Sequence, residues 1–146
     1  MIYIGIDPDV DKSGYGVYCT DQKKIIDYGL KNMFTLVDFI RNYKTESLHV
    51  IIEAGFLNKK SNYHTTKNQS KEVGEKIANS VGRNHQVSRM IGEAMDHYNV
   101  SYSFSKPAEK KVTPFLFKVY TGIEVKNQEI IDACMMVFGR KIKLIK

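Results

Sequence analysis

Apolar and small residues alternate from Ile2 to Ile6 and stop at Asp7, the period-two pattern of a strand that ends on an acid. Tyr15 to Cys19 repeats the pattern, and Lys24 to Leu30 repeats it again after the polar turn Thr20-Asp21-Gln22. Three strands joined by short polar turns predict an antiparallel meander. The period then lengthens. Met33, Leu36, Val37, Ile40 and Tyr43 fall on one helical face. Ser47 to Ile52 returns to a strand, too apolar at Val50-Ile51-Ile52 for an exposed edge, and it ends on Glu53. A continuous apolar strand after a helix predicts a buried strand parallel to the first.

Residues 57–71 carry little apolar content and contain Lys59, Lys60, Lys67 and Lys71 with no acid among them, which predicts a mobile basic loop. A long helix follows, about 72–98, with Ile77, Val81, Ser88, Ile91 and Met95 in line. Val100 to Phe104 is a fifth strand. Pro107 is placed to open a short helix that Gly122 ends, and Asn127 to cap a last helix through Phe138. Three leading strands and then alternating helices and strands predict an α/β fold, a mixed five-stranded sheet flanked by helices. A length of 146 residues suits one domain, 1–146.

Composition narrows the class. The chain is 42% hydrophobic, which is enough for a core. No apolar run is long enough to span a bilayer, and the start reads as a strand rather than a signal peptide. Cys19 and Cys134 stand far apart, without metal-ligand spacing, so a reduced, cytoplasmic protein is expected and a zinc site is not. A net charge of +6 favours anionic partners such as nucleic acid.

The acids carry the chemistry. Asp7 and Glu53 each end a strand, and parallel neighbours would bring them to one edge of the sheet, where open sheets bind ligands. Glu129 and Asp132 are three apart on the largely apolar stretch Glu129 to Phe138 and so share a helix face. Each acid alone has an ordinary reading: Asp7 as a turn cap, Glu53 as a solvated strand end, Glu129 as a first-turn acid favoured by the helix dipole. Together they point to a hard cation, because clustered carboxylates repel one another and Mg²⁺ relieves the repulsion.

These same residues carry a family resemblance. Ile4-Gly5-Ile6-Asp7-Pro8 with Ser13-Gly14-Tyr15-Gly16-Val17, then Ile52-Glu53-Ala54-Gly55-Phe56, then Glu129-Ile130-Ile131-Asp132-Ala133 resemble, in order, the acidic motifs of RuvC-type Holliday-junction resolvases in the ribonuclease-H-like superfamily. The chain departs from the family at Asp9, where Gly is usual, at Glu129, where Asp or His is usual, and across 107–126, which is not Gly-rich. Its short length and Lys/Asn/Ile-rich composition resemble the phage-encoded branch. The resemblance implies a ribonuclease-H-like fold, a homodimer, two Mg²⁺ or Mn²⁺ ions per site and paired nicks in four-way junctions. Asp7, Glu53, Glu129 and Asp132 would be metal ligands. Phe56 would stack on unpaired bases near the crossover. Lys111 or Lys110 would stand near the scissile phosphate, with Lys111 named first.

Lysines add a second signature. Lys59, Lys60 and Lys67 follow Phe56, while Lys106, Lys110, Lys111 and Lys118 form a second group and 140–146 a basic tail. Such residues supply sequence-independent affinity for phosphates, or simply a solvated face. Asn79, Gly82, Arg83, Gln86 and Gly92 on the long helix suit a homodimer contact, again by resemblance. The leading expectation is a metal-dependent endonuclease for branched DNA. The alternatives are a nuclease for structured RNA or RNA–DNA hybrid, and a non-catalytic junction binder.

Overall fold

The computed structural model describes residues 1–43, 47–58 and 71–141. Among the described residues, five strands form one sheet: β1 (Ile2–Asp7), β2 (Ser13–Cys19), β3 (Lys24–Lys31), β4 (Leu48–Glu53) and β5 (Tyr102–Ser105), in the order β3-β2-β1-β4-β5. The β1–β2 and β2–β3 pairs are antiparallel, and β1–β4 and β4–β5 are parallel. The mixed sheet expected from the hydrophobic pattern is therefore present. Helices α1 (Met33–Arg41) and α2 (Lys71–His97) lie on one face, and α3 (Pro114–Thr121) and α4 (Gln128–Val137) on the other.

Side-chain alternation sorts the two faces. Ile4, Ile6, Val50 and Ile52 enter a core with Leu36 and Ile40 of α1 and Ile91 and Met95 of α2. Tyr3 and Ile51, out of phase by one residue, enter the opposite core with Phe117 of α3 and Ile131, Cys134 and Val137 of α4. Period two then fixes the direction of the next residues along. Asp7 and Glu53 follow Ile6 and Ile52, which are register partners. Both carboxylates leave the sheet at the same level, on the α4 side.

Helix α4 can meet them because the sheet offers it glycine. Gly5 and Gly16 are opposite each other in the β1–β2 register. A Cβ on Gly5 would collide with the carbonyl oxygen of Ala133, and one on Gly16 with the side chain of Cys134. The helix backbone thus rests directly on the strands.

Some element ends differ from the sequence expectation. Leu57 belongs to the 3-10 turn Gly55–Leu57 and Lys71 is the first residue of α2, while 59–70 of the expected 57–71 loop lie outside the described residues. Lys59, Lys60, Lys67 and the tail from 142 onward lie outside the described residues. The short helix opens at Pro114 and not at Pro107. Thr113 is its cap, accepting a hydrogen bond from Leu116 N, and Gly122 closes it at φ 76°. Asn127 caps α4, as expected, by accepting from Ile130 N. Gly92 does not face outward for a partner helix, since a Cβ there would strike Phe104 and crowd Tyr102 of the same chain. Gly82 does face open space.

Candidate active site

The two strand ends and α4 bring Asp7, Glu53 and Asp132 together. Each offers a carboxylate oxygen, and these oxygens lie within 4.8 Å of one another. All three side chains are half-buried. Ser88 of α2 fixes one strand end, its hydroxyl donating to Glu53 O at 3.1 Å.

Crowding of like charge away from water shows in the titration of these groups. Burial, then the Glu53 and Asp132 charges, push Asp7 up to about 8, with Lys111 opposing. Glu53 is raised by burial and by Asp132, again against Lys111. Lys111 itself is pulled down by burial but raised overall by its hydrogen bond to Asp132 and the charges of Glu53, Asp132 and Asp7. A metal-free cluster of this kind holds a proton near neutrality, and a divalent cation would replace that proton. Three hard oxygen donors fit Mg²⁺ or Mn²⁺.

Both oxygens of Asp132 are already held. Lys111 Nζ donates to Oδ2 at 2.8 Å. Gln128, one turn earlier on α4, donates from Nε2 to Oδ1 at 2.8 Å and to Val112 O at 2.9 Å. Gln128 therefore ties the acid to the segment that carries Lys111. Gln128 is not among the residues expected from the sequence, although Gln four residues before Asp is a recognised helical pair. Gln128→Met, which keeps the length and drops the amide, is expected to weaken divalent-cation affinity roughly tenfold. Titration of the thermal midpoint with Mg²⁺ checks this, and an unchanged titration midpoint would refute an orienting role.

Glu129 stands apart from the tight group of three. It is half-buried, and burial followed by the charges of Asp9, Asp132 and Asp11 raises its carboxyl. It thus faces the β1–β2 connection as well as Asp132. Lys110 and Lys111 line a cleft of about 230 Å³ together with Glu53, Asp132, Lys106 and Arg140. Lys118 lies on α3 with its Nζ 3.7 Å from Glu124.

Phe56 is half-buried in an aromatic cluster. Its ring meets Phe104 at 5.1 Å and His85 at 6.1 Å, both edge-on, and the Arg89 guanidinium lies 4.4 Å from its centroid. A second hollow of about 250 Å³ runs beside it, lined by Asp7, Glu53, Asn58, Asn84 and His85 among others. Arg89 and His85 carried no sequence signal, because only the fold of α2 over β5 brings them to Phe56.

No family model and no curated protein matches the chain. Solved structures do. One is T. thermophilus RuvC in complex with Holliday junction substrate, at 14% identity over 94% of this chain and 90% of that chain, with a TM-score of 0.60. Another is a Thermus thermophilus RuvC structure, at 13% identity over 94% and 92%, with a TM-score of 0.58. The protein thus has the RuvC-type, ribonuclease-H-like fold. Among the described residues, no helix is long and apolar enough to cross a membrane.

Proposed function

We propose that this chain is a divalent-cation-dependent endonuclease that resolves Holliday junctions or related branched DNA by paired nicks in the cytoplasm. The observation that carries the reading is the cluster of Asp7, Glu53 and Asp132 at one sheet edge, with Lys111 against it. The similar T. thermophilus RuvC is in complex with Holliday junction substrate, which supports the choice of DNA branch points.

In this reading Asp7, Glu53 and Asp132 hold the cation, with Glu129 as a fourth acid at the rim. Bound Mg²⁺ or Mn²⁺ supplies an activated water and charge stabilisation for phosphodiester hydrolysis. The chain's own groups do the rest. Lys106, Lys110 and Arg140 along the cleft draw the phosphate backbone in. Lys111, close to the acids, counters charge that builds on the phosphate oxygens. Phe56, with Lys59, Lys60 and Lys67 after it, contacts DNA near the crossover. Two chains paired through α2, whose Asn79, Gly82, Arg83 and Gln86 are exposed, would place two such sites on one junction.

The test is a panel of labelled four-way junction, fork, duplex, structured RNA and RNA–DNA hybrid, with wild type and Asp132→Asn. Mg²⁺-dependent cuts in the branched DNAs, lost in Asp132→Asn, are expected. Preferential cutting of RNA or hybrid would replace the DNA reading. Tight junction binding without cleavage in Mg²⁺ or Mn²⁺ would replace it with a junction binder.

A further inference from the structure

Helix α3 hides only Phe117 from solvent. Phe115, Leu116, Val119 and Tyr120 occupy positions i, i+1, i+4 and i+5, one side of the helix, and are 75%, 39%, 62% and 51% exposed. A helix normally turns such a face inward, and an apolar face turned outward marks a binding surface.

We propose that this face of α3 is a platform for unpaired nucleobases beside the acidic cluster, with Phe115 as its main contact and Tyr120 at its far edge. The inference rests on the nuclease reading and adds a second stacking surface to it, separate from Phe56.

Placement supports it. Val112 O is hydrogen-bonded to Gln128, which also holds Asp132. Phe115 is three residues further on, so its Cα lies within about 11 Å of that of Val112. Nucleotides adjoining a phosphate held at the acids would pass it.

Charge supports it as well. The stretch 106–128 contains five lysines, Lys106, Lys110, Lys111, Lys118 and Lys126, against two acids, Glu109 and Glu124. Lys110 and Lys111 precede the helix by four and three residues, and Lys118, 3.7 Å from Glu124, stands on it. Exposed aromatic rings interleaved with lysines are what single-stranded nucleic acid requires, because every base presents a flat face and every phosphate a charge.

Size argues against a second copy as the occupant. Four side chains on a two-turn helix offer little more than half of the about 800 Å² per partner in a stable protein interface. The more familiar candidate, Phe56, already spends much of its ring on Phe104, His85 and Arg89.

The experiment measures binding of the full chain, with Ca²⁺, to a four-way junction, a single strand and a plain duplex of the same sequence. Wild type is compared with Phe115→Ala, Tyr120→Ala and Phe115→Trp. Phe115→Ala is expected to lose roughly five- to hundredfold affinity for junction and single strand, with duplex affinity and salt slope unchanged, since stacking releases no counterions. Phe115→Trp should restore binding. Unchanged affinity in both alanine variants, with wild type still cutting junctions, would overturn the platform and leave the nuclease reading intact. An equal loss on duplex would overturn it too, as would a lower sedimentation mass in Phe115→Ala, which would assign the face to a second copy. Failure of wild type to bind or cut any branched DNA would overturn both.

Discussion

Asp7→Asn is expected to abolish cation-dependent DNA cleavage and yet to raise the melting temperature of the metal-free protein at pH 8. The two effects have one cause. In the unfolded chain Asp7 ionises near pH 4. In the folded chain burial, Glu53 and Asp132 move it up to about 8. Between those values the folded state holds the extra proton, so stability falls as pH rises from about 4 to about 8 and levels off above. The full span would be worth about 5–6 kcal/mol by linkage, and partial solvation reduces it to roughly 2–3 kcal/mol. Asparagine has the same shape and no charge, so it removes this dependence. A gain of roughly 5–10 °C at pH 8 follows, and almost none at pH 4. Divalent cations should give wild type a comparable gain at pH 8 by binding the folded state alone, and should give the variant far less. Cleavage should fall at least about a hundredfold, the scale of losing one element of charge stabilisation. Thermal scans in EDTA and in Mg²⁺ at pH 5 and pH 8 check the prediction. An asparagine variant no more stable than wild type at pH 8, and equally stabilised by Mg²⁺, would mean that Asp7 is not part of a cation site.

Much of this arrangement is readable from the sequence, because period two and strand ends are local properties. Asp7 and Glu53 could be placed on one edge once β1 and β4 were read as parallel, and their common face follows from counting one residue past Ile6 and Ile52. Asp132 was legible from its place on an apolar helix. Glu129 shows where local counting stops. A spacing of three puts it on nearly the same helix face as Asp132, but the direction in which α4 crosses the sheet turns it toward Asp9 and Asp11 as well. That crossing is a tertiary property. The shift of the short helix from Pro107 to Pro114 has a similar origin. Lys111 and Val112 are committed to Asp132 and Gln128 across the cleft, and those contacts outweigh whatever helical preference 107–112 has. Gly92, expected at a homodimer contact, is instead the seat for the sheet's own Phe104, since composition does not say which side of a helix meets which aromatic.

The seat of α4 on glycine yields the largest expected loss of stability. In Gly5→Ala the new methyl would collide with the Ala133 carbonyl oxygen and lie 3.2 Å from Val137 Cγ1. The first obstacle is helix backbone, which cannot turn aside as a side chain can, so α4 must lift from β1. Lifting it loosens Ile131, Cys134 and Val137 from their core, at a cost of about 3–5 kcal/mol, the upper range for overpacking a rigid interior. The same movement carries Asp132 away from Asp7 and Glu53, because the acid rides on that helix. Gly5→Ala should therefore melt about 10 °C or more below wild type and, in the fraction that remains folded, show a smaller stabilisation by Mg²⁺. Gly74→Ala is the control. Its site has nothing within 4 Å, so the same added methyl in α2, away from the residues proposed for the chain–chain contact, should stabilise by about 0.5–1 kcal/mol. If both alanines behaved alike, the close seat of α4 would be wrong, and with it the reason Asp132 reaches the strand ends. If Gly5→Ala lost stability but kept the full Mg²⁺ response, the helix would be essential to the fold and Asp132 dispensable to the site.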